Sequence, residues 1–279
     1  MTSLHVLATG PLVTVQDRGR LGLAHLGVAR GGALDGPAAG LANRLVGNDE
    51  DAAVLEVLLG GLELRADAGC WVAVTGAGRP HARAEWLAAG ATLQVAAPAT
   101  GLRSYVAVAG GIAVPAVLGS RSTDTLAWVG PDRVLPGAVL PVGEPAGRPR
   151  ALDTPRTPTP GPLRVRRGPR ADWLSHDAFE RLCATSYVVA ADSDRIGLRL
   201  DGASLPRRRE DELPSEGMVL GAVQVPPSGV PIVFLADHPP TGGYPVLAVV
   251  EADDLWQCAQ LRPGEGVRFT PARSGSSTR

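Results

Sequence analysis

Thr14-Val15-Gln16-Asp17-Arg18-Gly19-Arg20 gathers an amide, a carboxylate, two guanidinium groups and a glycine directly after a short apolar stretch. A tight hairpin asks only for Asn-Gly or Asp-Gly, so a carboxylate between two cations, beside an amide that both donates and accepts, exceeds the needs of a turn. Asp17 reads either as a group that orients a polar substrate or as an ion pair that pins the turn. Near the other end, Thr241-Gly242-Gly243-Tyr244-Pro245 sets hydroxyls beside paired glycines. Their backbone N–H groups suit an anionic or carboxylate ligand, and a tight β corner would use the same glycines.

Further polar clusters are Asn43 with Asn48, Gly119-Ser120-Arg121-Ser122-Thr123, Ser193-Asp194-Arg195, and Asp237. Glu56 sits in Val54-Leu55-Glu56-Val57-Leu58, where a buried carboxylate is costly unless paired. It reads as a general base or as a buried partner for an arginine. Gln224, inside Gly221-Ala222-Val223-Gln224-Val225-Pro226, is an amide in a strand that looks buried and so requires partners, from backbone or substrate. The sequence holds no Ser-His-Asp order, nucleophile elbow or phosphate-binding loop.

All 27 basic residues are arginine. Without lysine the chain forms no Schiff base, has no phosphate-loop lysine and carries no biotinyl group of its own. Cys70, Cys183 and Cys258 are far apart, lack paired spacing and read as core cysteines, and the 5 histidines are scattered, so neither a disulfide framework nor a protein-borne metal site is expected. A net charge of −1 offers no field for nucleic acid. No apolar run reaches the ~18 residues of a membrane span and no leader is evident, so the expected location is cytoplasmic.

The elements that must position these groups are mainly strands. Glycine (35) and proline (25) are abundant and the apolar runs are short, which argues for a β-rich architecture. Strands are expected over 4–8, 54–58, 62–66, 71–75, 92–95 and 104–109, then 187–191, 196–200, 219–225, 232–236 and 246–250. Asp35 as N-cap, Pro37 in the first turn and Gly47-Asn48 at the end bound one helix. Two more are expected over 175–184 and 252–261, with the helices packed on barrels. Residues 143–162 are proline-rich and read as an extended linker between an N-terminal lobe (1–142) and a C-terminal barrel lobe (163–272), followed by a disordered tail (273–279).

Taken in order, these segments resemble the biotin-dependent carboxyltransferase or allophanate-hydrolase subunit 2 family, whose bacterial members include 5-oxoprolinase C subunits and KipA-like proteins. The likeness runs from Leu4 to Phe269 and includes residues 14–20, Gly32-Ala33-Leu34-Asp35, Asn43 through Asn48, Thr75-Gly76-Ala77, Gly110-Gly111, residues 119–123, Asp194-Arg195, Gln224-Val225-Pro226 and residues 241–245. It implies a mainly β fold with a few helices, of cyclophilin-like β-barrel architecture in two lobes.

The function it implies is that of one component of an ATP-dependent 5-oxoprolinase, working with an A subunit and a KipI-like B subunit to activate 5-oxoproline and open it to glutamate. ATP, with a divalent metal, would act at the level of the complex. The alternatives are a carboxyltransferase acting on urea or a related amide with a separate biotin carrier, and a non-catalytic regulator that binds a KipI-like kinase inhibitor. The expected catalytic residues are Asp17, Glu56 and Arg121. The expected substrate-binding residues are Gln16, Asn43, Asn48, Ser122, Thr123, Gln224, Asp237, Thr241, Gly242, Gly243 and Tyr244, because a planar amide substrate suits such hydrogen-bonding groups. His238-Pro239-Pro240 stands where the family commonly has a Gln-Thr pair, a departure that touches substrate choice.

Overall fold

A computed structural model describes residues 2–78, 83–150, 159–209, 211 and 213–273. Two compact units, Met1–Pro158 and Thr159–Arg279, divide the chain. Much of the proline-rich stretch and the tail from Ser274 lie outside the described residues.

The first unit holds β1 (Ser3–Ala8), β2 (Leu12–Gln16), α1 (Gly36–Val46), β3 (Val54–Leu58), β4 (Leu62–Ala66), β5 (Cys70–Gly76), β6 (Ala84–Leu87), β7 (Thr92–Val95), β8 (Arg103–Val108) and β9 (Val139–Pro141). Two sheets form, in the orders β7-β4-β1-β9 and β2-β3-β8-β5-β6. Leu4, Val6, Leu62 and Leu64 of the first sheet pack with Val13, Val15, Leu55, Val57, Val106 and Val108 of the second. Helix α1 covers the other face of the second sheet, where Ala42, Leu45 and Val46 meet Val54, Tyr105 and Ala107. Both faces of β3 and β8 are therefore covered, which explains why these strands show no alternation of apolar and polar residues.

The expected ends of α1 are observed. Asp35 accepts the N–H of Ala38 at 2.9 Å, Pro37 lies in the first turn, and Gly47 closes the helix in a left-handed conformation, φ 81°. Its seat is an open sheet and not a barrel, which corrects the expectation for this helix. Residues 14–16 are likewise strand, part of β2, and not turn. The segment 143–150 has little regular structure but lies along the first unit: Arg150 donates its N–H to Leu45 O at 3.1 Å.

The second unit holds β10 (Leu163–Arg167), α2 (Ala178–Ala184), β11 (Ser186–Val189), β12 (Gly197–Asp201), β13 (Glu216–Gly217), β14 (Ala222–Gln224), β15 (Ile232–Phe234), β16 (Thr241–Gly242), β17 (Val246–Val250), α3 (Leu255–Gln260) and β18 (Gly266–Pro271). Seven of the strands close into a barrel in the order β10-β17-β14-β15-β12-β11-β18. Closure leaves no free edge among these strands. β10 joins β18 in parallel, and β13 pairs β16 as a small ladder outside the barrel. The strand expected over 219–225 begins only at Ala222, because Val219–Gly221 make a turn in which Gly221 takes φ 82°.

Candidate functional site

Register on the second sheet of the first unit lines up a polar row facing α1. Thr14 lies opposite Glu56, Glu56 opposite Tyr105, and Tyr105 opposite Thr75. Each of the last three grips the start of the helix. Glu56 Oε2 accepts the N–H of Leu34 and the hydroxyl of Tyr105, each at 3.0 Å. The Tyr105 oxygen accepts the N–H of Asp35 at 2.8 Å, and Thr75 Oγ1 donates to Ala38 O at 2.7 Å. Arg103 Nε lies 3.3 Å from Glu56 Oε1, and both side chains are buried. Burial pushes the Tyr105 phenol well above its usual range, with the Glu56 and Asp35 charges adding to the effect, so it stays protonated and donates. Glu56 is thus the buried partner of an arginine and the anchor of the helix N-terminus. Tyr105 and Arg103 were not legible as its partners, because pairing across strands leaves no mark in the local sequence.

Asp17 follows β2 and collects four donors. Oδ1 accepts from Ser120 Oγ and Ser122 Oγ at 2.6 Å each and from Gly19 N at 2.8 Å, while Oδ2 accepts the N–H of Arg121 at 2.6 Å. Burial pushes this carboxyl up, but the bonds from Ser120, Ser122, Arg121 and Gly19 together outweigh it and leave its pKa below the ordinary value. The expected pinning ion pair is corrected. Arg18 reaches Asp51 on the surface at 3.0 Å, and Arg20 is buried with Nη2 on Ser122 O at 2.6 Å and Nε on Val117 O at 3.1 Å. Arg121 is exposed and donates from Nε to Val114 O at 2.7 Å. Asp17 accordingly stitches three loops together, since Ala33 also donates to its carbonyl at 3.0 Å.

Gln16 and Thr123 are both fully buried. Gln16 Nε2 donates to Thr14 Oγ1 at 3.0 Å and to Thr123 O at 2.9 Å. Its Oε1, like Thr123 Oγ1, is buried with no hydrogen-bond partner among the described residues. Leaving such atoms unpaired costs about 1–3 kcal/mol each. Asn43 and Asn48 are different: Asn43 Nδ2 donates to Ala52 O at 2.7 Å and Glu50 O at 3.2 Å, and its Oδ1 accepts from Asn48 Nδ2 at 3.0 Å. Asn48 further donates to Val108 O and accepts from Gly110 N, both at 2.8 Å. The two amides fasten the loop after α1 to β8.

In the second unit Arg195 and Asp237 form a bidentate pair, Nε to Oδ2 at 2.9 Å and Nη2 to Oδ1 at 3.0 Å, with both side chains buried. The planar fork of arginine suits this geometry. Gln224 Nε2 donates to Tyr244 O at 3.2 Å and approaches Met218 Sδ at 3.8 Å. Gly242 lets the 241–244 loop close over it, since a Cβ there would stand 2.9 Å from Gln224 Nε2. Thr241 and the Tyr244 ring are exposed, and Gly243 is half-buried. His238 stacks on Phe234, ring centroids 5.6 Å apart, with Nδ1 2.8 Å from Pro239 O. Gln224, Gly242 and Tyr244 are thus brought together around one loop, while Asp237 is turned into the buried pair.

Among the described residues no group of three or more His, Cys, Asp or Glu could hold a metal ion, and no helix is long and apolar enough to cross a membrane. The cysteines are free. Burial pushes the Cys258 thiol up to about 12, whereas Cys183 is only half-buried and so not the core residue expected.

The family model for the carboxyltransferase domain, subdomain A and B, matches residues 26–271. The chain belongs to this family. The Asp17 carboxylate lies ahead of the matched span, and two of the loops it holds, those of Ala33 and of Ser120 to Ser122, lie within it. This carboxyltransferase-family chain is 39% identical to the 5-oxoprolinase C subunit of Escherichia coli, covering 95% of this chain and 90% of that one. It is 34% identical, with the same coverage, to the 5-oxoprolinase C subunit of Haemophilus influenzae. Among solved structures it matches TTHA0988 with a TM-score of 0.86 and 38% identity, over 97% of this chain and 55% of that one, so the chain spans about half of that protein. It also matches the urea amidolyase of K. lactis with a TM-score of 0.89 and 28% identity, over 96% of this chain and 18% of that one.

Proposed function

We propose that the chain is the C subunit of an ATP-dependent 5-oxoprolinase complex. The observation that carries this is the near end-to-end match to the E. coli protein of that name, 95% of one chain against 90% of the other. In this reading the γ-phosphoryl group of ATP is transferred to the lactam oxygen. ADP leaves, water attacks the activated carbon, the C–N bond breaks as its nitrogen takes up a proton, and a second water hydrolyses the resulting acyl phosphate to glutamate and phosphate. ATP and its divalent metal act at the level of the complex, the A and B subunits supply the remaining machinery, and the location is the cytoplasm. The test is ATP-dependent glutamate formation from 5-oxoproline by purified A and B subunits, with and without this chain. Activity that never depends on adding the chain ends the proposal.

A second reading is a carboxyltransferase module acting on urea, favoured by the close fit to the K. lactis urea amidolyase. It requires biotin on another polypeptide, since the chain has no lysine. Carboxylation of urea in the presence of a biotinylated carrier, and no turnover of 5-oxoproline, would select it.

A further inference from the structure

We propose that Gln16 and Thr123 form a buried receptor for a neutral amide or lactam, whose N–H donates to Gln16 Oε1 and whose carbonyl accepts from Thr123 Oγ1. The inference deepens the 5-oxoprolinase reading and rests on it for the identity of the natural substrate. Its first support is the fixed orientation of the Gln16 carboxamide. Thr123 O can only accept, so the NH2 group must face it, at 2.9 Å, and the second amide hydrogen goes to Thr14 Oγ1 at 3.0 Å. Both donors are thereby used, and Oε1 is left presenting lone pairs with no partner among the described residues.

The second support is independent of the first. Thr123 Oγ1, on the residue that holds the Gln16 amide, is also buried and without a hydrogen-bond partner among the described residues. Buried polar side-chain atoms are nearly always paired. The two unpaired atoms offer one acceptor and one hydroxyl, which is the complement of a single N–H and C=O. Both receptor atoms are uncharged, and the ligand proposed for them is correspondingly neutral. Thr123 is followed by a turn with exposed side chains. Trp128 there takes φ 55°, a strained conformation for a bulky residue, with half of its side chain exposed, and Leu126 is exposed as well.

The probe is 2-pyrrolidone, a lactam without a carboxylate, titrated calorimetrically into the full-length chain co-purified with its KipI-like partner. Wild type is expected to bind 2-pyrrolidone at least tenfold more tightly than N-methyl-2-pyrrolidone, which lacks the N–H. Thr123→Val is expected to lose at least tenfold in affinity for 2-pyrrolidone, and Thr123→Ser, which keeps the hydroxyl, to retain it. Crystals soaked in the lactam should show it between the two side chains. A fixed water there and no lactam binding overturns the inference, as does equal binding by wild type and Thr123→Val. Should Thr123→Val fail to fold, the Thr123→Ser variant and the N-methyl comparison still decide.

Glutamate formation separates this result from the fate of the parent reading. Lactam binding that depends on Thr123, in a complex that makes no glutamate, keeps the receptor and removes the 5-oxoprolinase assignment. A complex that turns over 5-oxoproline with KM and kcat unchanged in Thr123→Val keeps the assignment and removes the receptor. If both hold, Thr123→Val raises KM for 5-oxoproline about tenfold, as loss of one hydrogen bond to bound substrate predicts.

Discussion

Asp17 illustrates how a residue that looks catalytic becomes a fastener once its neighbours are known. Its carboxylate accepts from two serine hydroxyls and two backbone N–H groups. Asp17→Asn would put an NH2 group against donors, and we expect a loss of about 3 kcal/mol in urea unfolding at neutral pH. The sign of the pH dependence follows from the direction of its shift. Because the folded pKa lies below the ordinary 3.8, the contribution is fully present above that value and fades as pH falls through the lower folded value. The variant should therefore lose less stability than wild type between pH 4 and pH 2; parallel profiles would contradict this. The identity of the chemistry-bearing residues was legible here, but their partners were not, since Ser120 lies 103 positions away along the chain.

At the scale of elements, α1 was legible from end to end because its limits are set by local capping residues: Asp35 and Pro37 at its start and Gly47 at its end. Asp35→Ala removes the cap and is expected to cost about 1 kcal/mol, measured by thermal or urea unfolding. The two-residue strands β13 and β16 were not legible as strands, because their extended shape comes from pairing Glu216 with Gly242 and Gly217 with Thr241. The glycine of that ladder has a separate use. Gly242→Ala would drive a methyl group toward Gln224 Nε2 and Met218 Cγ, moving the Gln224 amide off Tyr244 O. We expect the variant to fold with an unchanged circular dichroism spectrum and to lower activity of the reconstituted complex several-fold. Full activity would assign Gly242 to loop geometry alone.

Among the described residues each unit holds a buried ionic centre, Glu56 with Arg103 in the first and Asp237 with Arg195 in the second. Replacing Asp237 by Ala leaves a guanidinium buried without its carboxylate, which is expected to cost about 3–5 kcal/mol. Limited proteolysis should then cut first within Thr159–Arg279 while the first unit stays protected. Uniform protection of both units would refute the assignment. The absence of lysine gives a compositional prediction at the same scale: an avidin blot of the purified chain detects no biotin, whatever ligase is co-expressed.

The sequence by itself determined that the chain is mainly β, where α1 starts and stops, which covalent chemistries are closed to a lysine-free protein, and which polar segments deserved scrutiny. These properties depend on composition or on residues a few positions apart, where capping and turn preferences operate. Only the tertiary structure decided that Glu56 holds a helix, that Asn43 and Asn48 satisfy each other, that Asp17 gathers loops instead of arginines, and that Gln16 and Thr123 are left with unspent hydrogen-bonding capacity. The reason is strand register and loop closure: they bring together groups tens of positions apart, and a one-residue slip in a strand would have turned its side chains to the opposite face.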